Sequence, residues 1–163
     1  MSRYARQIAV PQFGAAAQAK LRAARVLVVG AGGLAAPLLP ALVGAGIGHI
    51  RLVDPDVVDI SNLHRQTLFR TGDVGQPKVE AAARHLRELN PDTVVEPMKA
   101  ALGPANVASL AKGTMLLIGC ADSFAASYIL SDFGMAAGLP LLSAPALGTS
   151  GYCGGFCGTA PSL

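Results

Sequence analysis

A chain of 163 residues, 52% hydrophobic and only 14% charged, carries a net charge of +3 and is long enough for one domain with a sizeable core. Its basic residues are scattered, with no run and no interleaved aromatics, so nucleic-acid binding is not indicated. The most apolar stretch, residues 26–50, is broken by Pro37, Pro40 and several glycines, which argues against a membrane-spanning helix.

A typical globular domain is about 25% charged. The deficit has two readings: apolar surface covered by another subunit or by further chain, or simply an alanine-rich sequence. Three cysteines, an odd number, fit a reducing setting better than a disulfide framework. The N-terminus has arginines but no apolar leader segment, so a cytoplasmic protein is expected.

In chain order, the alanine-rich residues 14–24 read as a surface helix. Arg25-Val26-Leu27-Val28-Val29-Gly30 is a short apolar run ending in glycine, the pattern of a buried parallel strand feeding a turn. A helix is expected over 34–45, kinked or shortened by Pro40. Residues 49–54 form a second strand, and 76–90 a helix with apolar positions at Val79, Ala82, Ala83, Leu86 and Leu89 and Pro91 beyond its end. A third strand over 93–98, a short helix over 104–112, a fourth strand over 114–120, a helix over 124–137 and a strand over 139–144 complete the alternation. This is a Rossmann-like α/β fold, a doubly wound and mostly parallel sheet with helices on both faces. The Gly-, Ser- and Pro-rich tail from 146 onward is expected to add no capping element. No repeat or linker divides the chain, so 1–163 reads as a single nucleotide-binding domain.

The candidate site begins at Gly30-Ala31-Gly32-Gly33-Leu34-Ala35. Glycines there let the backbone turn tightly and bring N–H groups to a phosphate at a helix start. Asp54 follows at about the 20-residue spacing of an acid that holds a ribose hydroxyl. Those two features would serve a nicotinamide-dependent oxidoreductase equally well. That reading leaves unused the set that follows: Asp56, Asn62, Arg65, Gln66 and Lys78. With Asp54, this makes two acids, a guanidinium, an ammonium and two amides, which suit a triphosphate with a divalent metal. The simpler alternatives are a turn residue for Asp56, a helix N-cap for Asp122 and a solvated loop face for the cations. Lys78 at a helix start opposes the macrodipole, a conflict that a bound anion would resolve. His64 and Arg70 read as local structure and surface, and Cys120 as core.

Arg3-Tyr4-Ala5-Arg6-Gln7, the glycine loop, Asp54-Pro55-Asp56, Ser61-Asn62-Leu63-His64-Arg65-Gln66, Val74-Gly75-Gln76-Pro77-Lys78 and Cys120-Ala121-Asp122 occur in this order. The ordered set resembles the ThiF/MoeB/HesA family, bacterial relatives of the ubiquitin-activating enzymes. The resemblance implies an adenylyltransferase using ATP and Mg²⁺, with the metal on Asp56 and Asp122. Its substrate would be the C-terminal carboxylate of a ubiquitin-like sulfur-carrier protein ending in Gly-Gly. Gly30, Gly32, Gly33, Asp54, Asn62 and Gln66 would bind nucleotide, with Arg65 and Lys78 on the phosphates. Arg6 would reach the ATP of a neighbouring subunit, which implies a homodimer.

The resemblance also has departures. The family usually reads Thr-Asp-Asn around the catalytic acid, with an arginine four residues after the Asn. Here Ala121-Asp122-Ser123 and Ser127 stand in those places. A non-catalytic, nucleotide-binding or dimerising scaffold is the alternative they suggest. The family's two Cys-x-x-Cys zinc pairs are not matched by Cys153 and Cys157, so zinc is not expected. The family's usual C-terminal continuation would lie past Leu163.

Overall fold

The computed structural model describes residues 2–157. Five of the apolar runs become parallel strands: β1 (Arg25–Val29), β2 (His49–Val53), β3 (Val94–Met98), β4 (Leu116–Gly119) and β5 (Leu141–Ser143). The sheet order is β3-β2-β1-β4-β5, extended on the β5 side by an antiparallel strand β8 (Gly154–Phe156). Between them lies a small hairpin of β6 (Ala146–Leu147) and β7 (Ser150–Gly151). The doubly wound order was expected. The structured tail was not, although residues 158–163 lie outside the described part of the expected tail.

Strand alternation builds two cores. Val26, Val28, Ile50, Leu52, Val95 and Ile118 face one side, against α3 (Ala35–Ala45) and α4 (Lys78–Leu89). Leu27, Val29, Val53, Leu117 and Leu141 face the other, with Leu110 of α5 (Val107–Leu110) and Leu130 of α6 (Phe124–Ala137). Successive side chains of a strand point to opposite faces, so a nearly continuous apolar run feeds both layers at once. No helix among the described residues is long and apolar enough to cross a membrane.

Pro40 sits inside α3, yet the helix spans 11 residues to a left-handed Gly46 cap. Packing of Ala35, Ala36, Leu39 and Val43 in the core outweighs the missing N–H. A short helix α1 (Ala5–Ile8) precedes α2 (Gly14–Ala23). Its neighbourhood is pinned where the strands begin: Arg3 donates to the Leu89 carbonyl and Gln7 to that of Ala45.

Candidate nucleotide site

The carboxyl ends of β1 and β4 are the place where the winding reverses, and adjacent loops there open a crevice. Gly30 makes that junction possible. Its φ is +99°, and a Cβ would lie 2.6 Å from the Cys120 carbonyl and the Ala121 nitrogen. Only glycine lets the chain end after β4 approach so closely, and Asp122 follows two residues later. Ala31 donates its N–H to Asp54 Oδ2 at 2.7 Å, and Asp56 donates its N–H to Asp54 Oδ1 at 2.8 Å. Buried Asp54 therefore staples the glycine loop to the turn carrying Asp56. Each oxygen keeps a lone pair for a ligand hydroxyl. The N–H groups of Gly32, Gly33 and Leu34 make no hydrogen bond among the described residues.

The stretch between β2 and α4 folds back on itself without forming strands. Val58 donates to the Gln76 carbonyl at 2.8 Å, Gly75 to that of Val58 at 2.8 Å, and Lys78 to that of Asp56 at 3.0 Å. These rungs set the Lys78 ammonium 2.8 Å from Asp56 Oδ2. The lysine side chain is only 7% exposed and the carboxylate 62% exposed. The conflict between Lys78 and the helix start is thus answered within the chain, by Asp56, and a bound anion is not required for it.

The Arg65 stem packs on Gly33, 3.4–3.5 Å from where a Cβ would stand. Its guanidinium lies 3.4 Å from His64 Nε2 and is otherwise without a hydrogen-bond partner among the described residues. Gln66 is buried under the loop, and its Oε1 is shut from solvent with no partner. The one side-chain hydrogen bond of Asn62 among the described residues goes to Ser61 Oγ, at 3.5 Å.

Asp122 is exposed, and its side chain has no hydrogen-bond or ion-pair partner among the described residues. The helix N-cap is Ser123, whose Oγ accepts from the Ala126 N–H at 3.1 Å. This corrects the simpler reading of Asp122 as a cap. Ser127, at the family's arginine position, donates back to the Ser123 carbonyl.

All of Gly30, Gly32, Gly33, Asp54, Asp56, Asn62, Arg65, Gln66, Lys78 and Asp122 line one cleft of about 600 Å³. That volume suits a nucleotide-sized ligand. The apolar wall of Ala100, Ala101, Leu102, Ala121 and Ala146 was not anticipated from sequence. Its only signal is that such residues directly follow strands. Burial raises the Cys120 thiol pKa to about 11, so this cleft-side sulfur stays protonated and inert. Arg6 does not line the cleft. It lies exposed on α1, with no ion pair or hydrogen bond among the described residues.

Cys153 and Cys157 flank β8. Four residues of extended chain span about 13 Å, beyond the ~7 Å Cα limit of a disulfide. Among the described residues no group of three His, Cys, Asp or Glu side chains could hold a metal ion.

Residues 4–162 match the sequence profile of the ThiF family. The adenylyltransferase and sulfurtransferase UBA4 of Yarrowia lipolytica is 47% identical over 161 residues, covering 95% of this chain and 40% of that protein. Its Aspergillus terreus counterpart is 48% identical, over 91% of this chain and 31% of that protein. The chain thus spans two fifths or less of these relatives. Among solved structures, E. coli MccB with succinimide superposes at a TM-score of 0.88 and 27% identity, over 98% of this chain and 50% of MccB. E. coli tRNA N6-threonylcarbamoyladenosine dehydratase TcdA, in complex with ATP, gives a TM-score of 0.77 and 31% identity, over 81% and 55% of the two chains.

Proposed function

The chain belongs to the ThiF family, and we propose that its cleft binds ATP and that the domain activates a carboxylate by adenylation. One observation carries the proposal. Arg65, Lys78, Asp56, Asp122 and the unbonded N–H groups of residues 32–34 meet in a single cleft. A nicotinamide site would need only the loop and Asp54, and would leave the rest without a task.

The substrate carboxylate oxygen attacks the α-phosphorus of ATP. The bond to the oxygen bridging the α- and β-phosphorus breaks, and pyrophosphate leaves with the electron pair. No general base is needed, because the attacking group is already ionised. The domain's work is positioning and charge compensation. The loop N–H groups and the start of α3 hold phosphate oxygens. Arg65 and Lys78 neutralise charge that builds on the leaving group. Asp54 offers its remaining lone pairs to ribose hydroxyls. Two carboxylates with substrate phosphates form the hard-oxygen donor set that Mg²⁺ takes. Asp122, whose carboxylate has no partner among the described residues, and the Asp56 oxygen not engaged by Lys78 fit that set. Mg²⁺ on these residues would offset triphosphate charge.

The likeness to UBA4 supports a protein substrate, the C-terminal Gly-Gly of a ubiquitin-like sulfur carrier. The solved complex of MccB with MccA and AMPCPP is the reason to test peptide carboxylates beside it. Arg6 then serves in a cytoplasmic homodimer, supplied to the cleft of the neighbouring subunit. The second reading is a non-catalytic scaffold, favoured by Ser123, which caps α6, and by Ser127, which turns its hydroxyl back to the Ser123 carbonyl.

Pyrophosphate exchange decides between these. With ATP, Mg²⁺ and a Gly-Gly-ended carrier, label should move from pyrophosphate into ATP. ATP should also raise the melting temperature, and NAD should not, since a ligand that binds only the folded state stabilises it by mass action. Tight NAD binding without ATP binding would overturn the nucleotide assignment. ATP binding without exchange would leave the scaffold.

A further inference from the structure

The geometry points to Asp73 as a positioning residue that holds Lys78, and through it Asp56, in the cleft. This rests on the proposed function only for its catalytic consequence.

Asp73 ends a 3₁₀ turn (Thr71–Asp73) and is 3% exposed. Its Oδ2 accepts from the Arg70 N–H at 2.7 Å and from His85 Nε2 at 2.8 Å. Its Oδ1 accepts from the Arg84 guanidinium. Arg84 also donates to Gln76 Oε1 at 2.9 Å, and Gln76 Nε2 donates to the Gly72 carbonyl at 3.0 Å. One buried carboxylate therefore ties the loop 70–76 to residues 84 and 85. Those residues lie about two turns along the helix whose first residue is Lys78.

Among the described residues the Lys78 ammonium meets only Asp56, and Asp56 sits on the turn that the same loop backs through the Val58, Gly75 and Gln76 rungs. A shift of the loop relative to α4 would move both members of the pair. A long lysine holds a rotamer at an entropic cost unless its surroundings fix it. Asp73 supplies that fixing with three donors converging on one carboxylate, a stronger anchor than neutral hydrogen bonds. Burial acts to raise the Asp73 pKa, but the His85 and Arg70 hydrogen bonds with the His85 and Arg84 charges prevail and lower it, so the anchor stays ionised at neutral pH.

The test does not need catalysis. Acylation by an N-hydroxysuccinimide ester, read residue by residue by mass spectrometry, reports the access of Lys78, with exposed Lys20, Lys99 and Lys112 as internal standards. Asp73→Asn offers one acceptor oxygen where two are used. It should speed Lys78 labelling several-fold with the standards unchanged. His85→Gln, which keeps a donor, should label less than His85→Leu. Leu130→Ala, which destabilises the opposite core, should leave Lys78 protected while the protein remains folded. Unchanged Lys78 labelling in folded Asp73→Asn, or equal labelling in Leu130→Ala, would overturn the inference. In pyrophosphate exchange, Asp73→Asn should lower the rate in the native background and add nothing in a Lys78→Ala background. Additive losses would overturn it too. A native chain without exchange would remove the adenylation reading and leave the labelling result to decide the positioning role.

Discussion

The two edges of the sheet handle polar groups in opposite ways. Where the strands begin, Asn90 is fully buried and donates to both the Tyr4 hydroxyl and the Val43 carbonyl, each at 2.8 Å. Gln7 and Gln18 both donate to the Ala45 carbonyl, and Thr93 to that of Ile47. Arg51 is held by Glu96 and the Lys112 carbonyl. The buried exception is His49 Nδ1. Burial first, and then Arg25, lowers the pKa of that ring and favours its neutral form. Where the strands end, the loop N–H groups of 32–34, the Asp122 carboxylate and Gln66 Oε1 have no partner among the described residues. Buried or converging polar groups left unpaired in a folded chain mark where a ligand's atoms complete the set. One edge is built to hold the fold, the other to be completed from outside.

The largest effect separates the edges by what a charge does at each. Asp122→Asn keeps the shape and removes the charge. Pyrophosphate exchange should fall by about 10²-fold or more, as for loss of a preorganised electrostatic group. The melting temperature should hold, because the Asp122 carboxylate has no hydrogen-bond or ion-pair partner among the described residues. An unchanged exchange rate, or a clear loss of stability, would break the division.

Arg6 tests the division from the other side. Among the described residues it is a cation without a partner near the strand-beginning edge, and it does not line the cleft. If a neighbouring subunit's cleft receives it, Arg6→Ala and Lys78→Ala should each be poorly active alone. Co-expressed, they should regain activity, since one cleft of the heterodimer then has both groups. Closed two-fold pairs are the commonest homo-oligomers. A monomer in sedimentation, or a confirmed heterodimer without recovery, would confine Arg6 to surface duty.

The division also explains what the sequence made legible. Parallel strands announce themselves as apolar runs, and β1 to β4 lie where those runs fall. The cleft residues were legible because unusual groups, Asp56, Arg65, Lys78 and Asp122, recur at short spacing beside glycines. The apolar wall was not, since Ala100, Ala101 and Leu102 look like any core residues until the fold sets them at the mouth of the cleft. The edge strand β8 was hidden because Gly154 and Gly155 carry no alternation and little strand preference. The pairing of Lys78 with Asp56 was hidden for another reason: only the folded loop brings positions 56 and 78 together. Asp73 was overlooked because one acid in a turn looks solvated, and its three donors come from a neighbouring turn and a helix.

A smaller effect belongs to the strand-beginning edge. Asn90→Ala removes the donor to the Tyr4 hydroxyl and one of two donors to the Val43 carbonyl, which keeps the Gly46 N–H, and should cost about 1–3 kcal/mol. Chemical denaturation would read this as a lower midpoint with an unchanged slope. The ATP affinity of the folded fraction should be unaltered. A weakened affinity at matched folded fraction would mean that the two edges are coupled through α3 and α4.

The smallest effect is a pH dependence that distinguishes an acid used inside the fold from one held for a ligand. The pKa of Asp73 in the folded chain lies below its ordinary value of 3.8. A lowered folded pKa means that the unfolded chain binds the proton more readily. The stabilisation is then fully present above the unfolded value and fades as pH falls through the folded one. Asp73→Asn should therefore melt lower than the native chain at neutral pH, and the gap should narrow below about pH 4. Asp122→Asn should melt with the native chain at neutral pH without ligand, because its carboxylate has no partner to lose among the described residues. Thermal melts of the three proteins from neutral pH into the acid range measure both. A gap for Asp73 that persists undiminished into acid would mean that its shape, and not its charge, ties the loop to α4. A lower melting temperature for Asp122→Asn at neutral pH would place a structural ion pair where the described residues provide none.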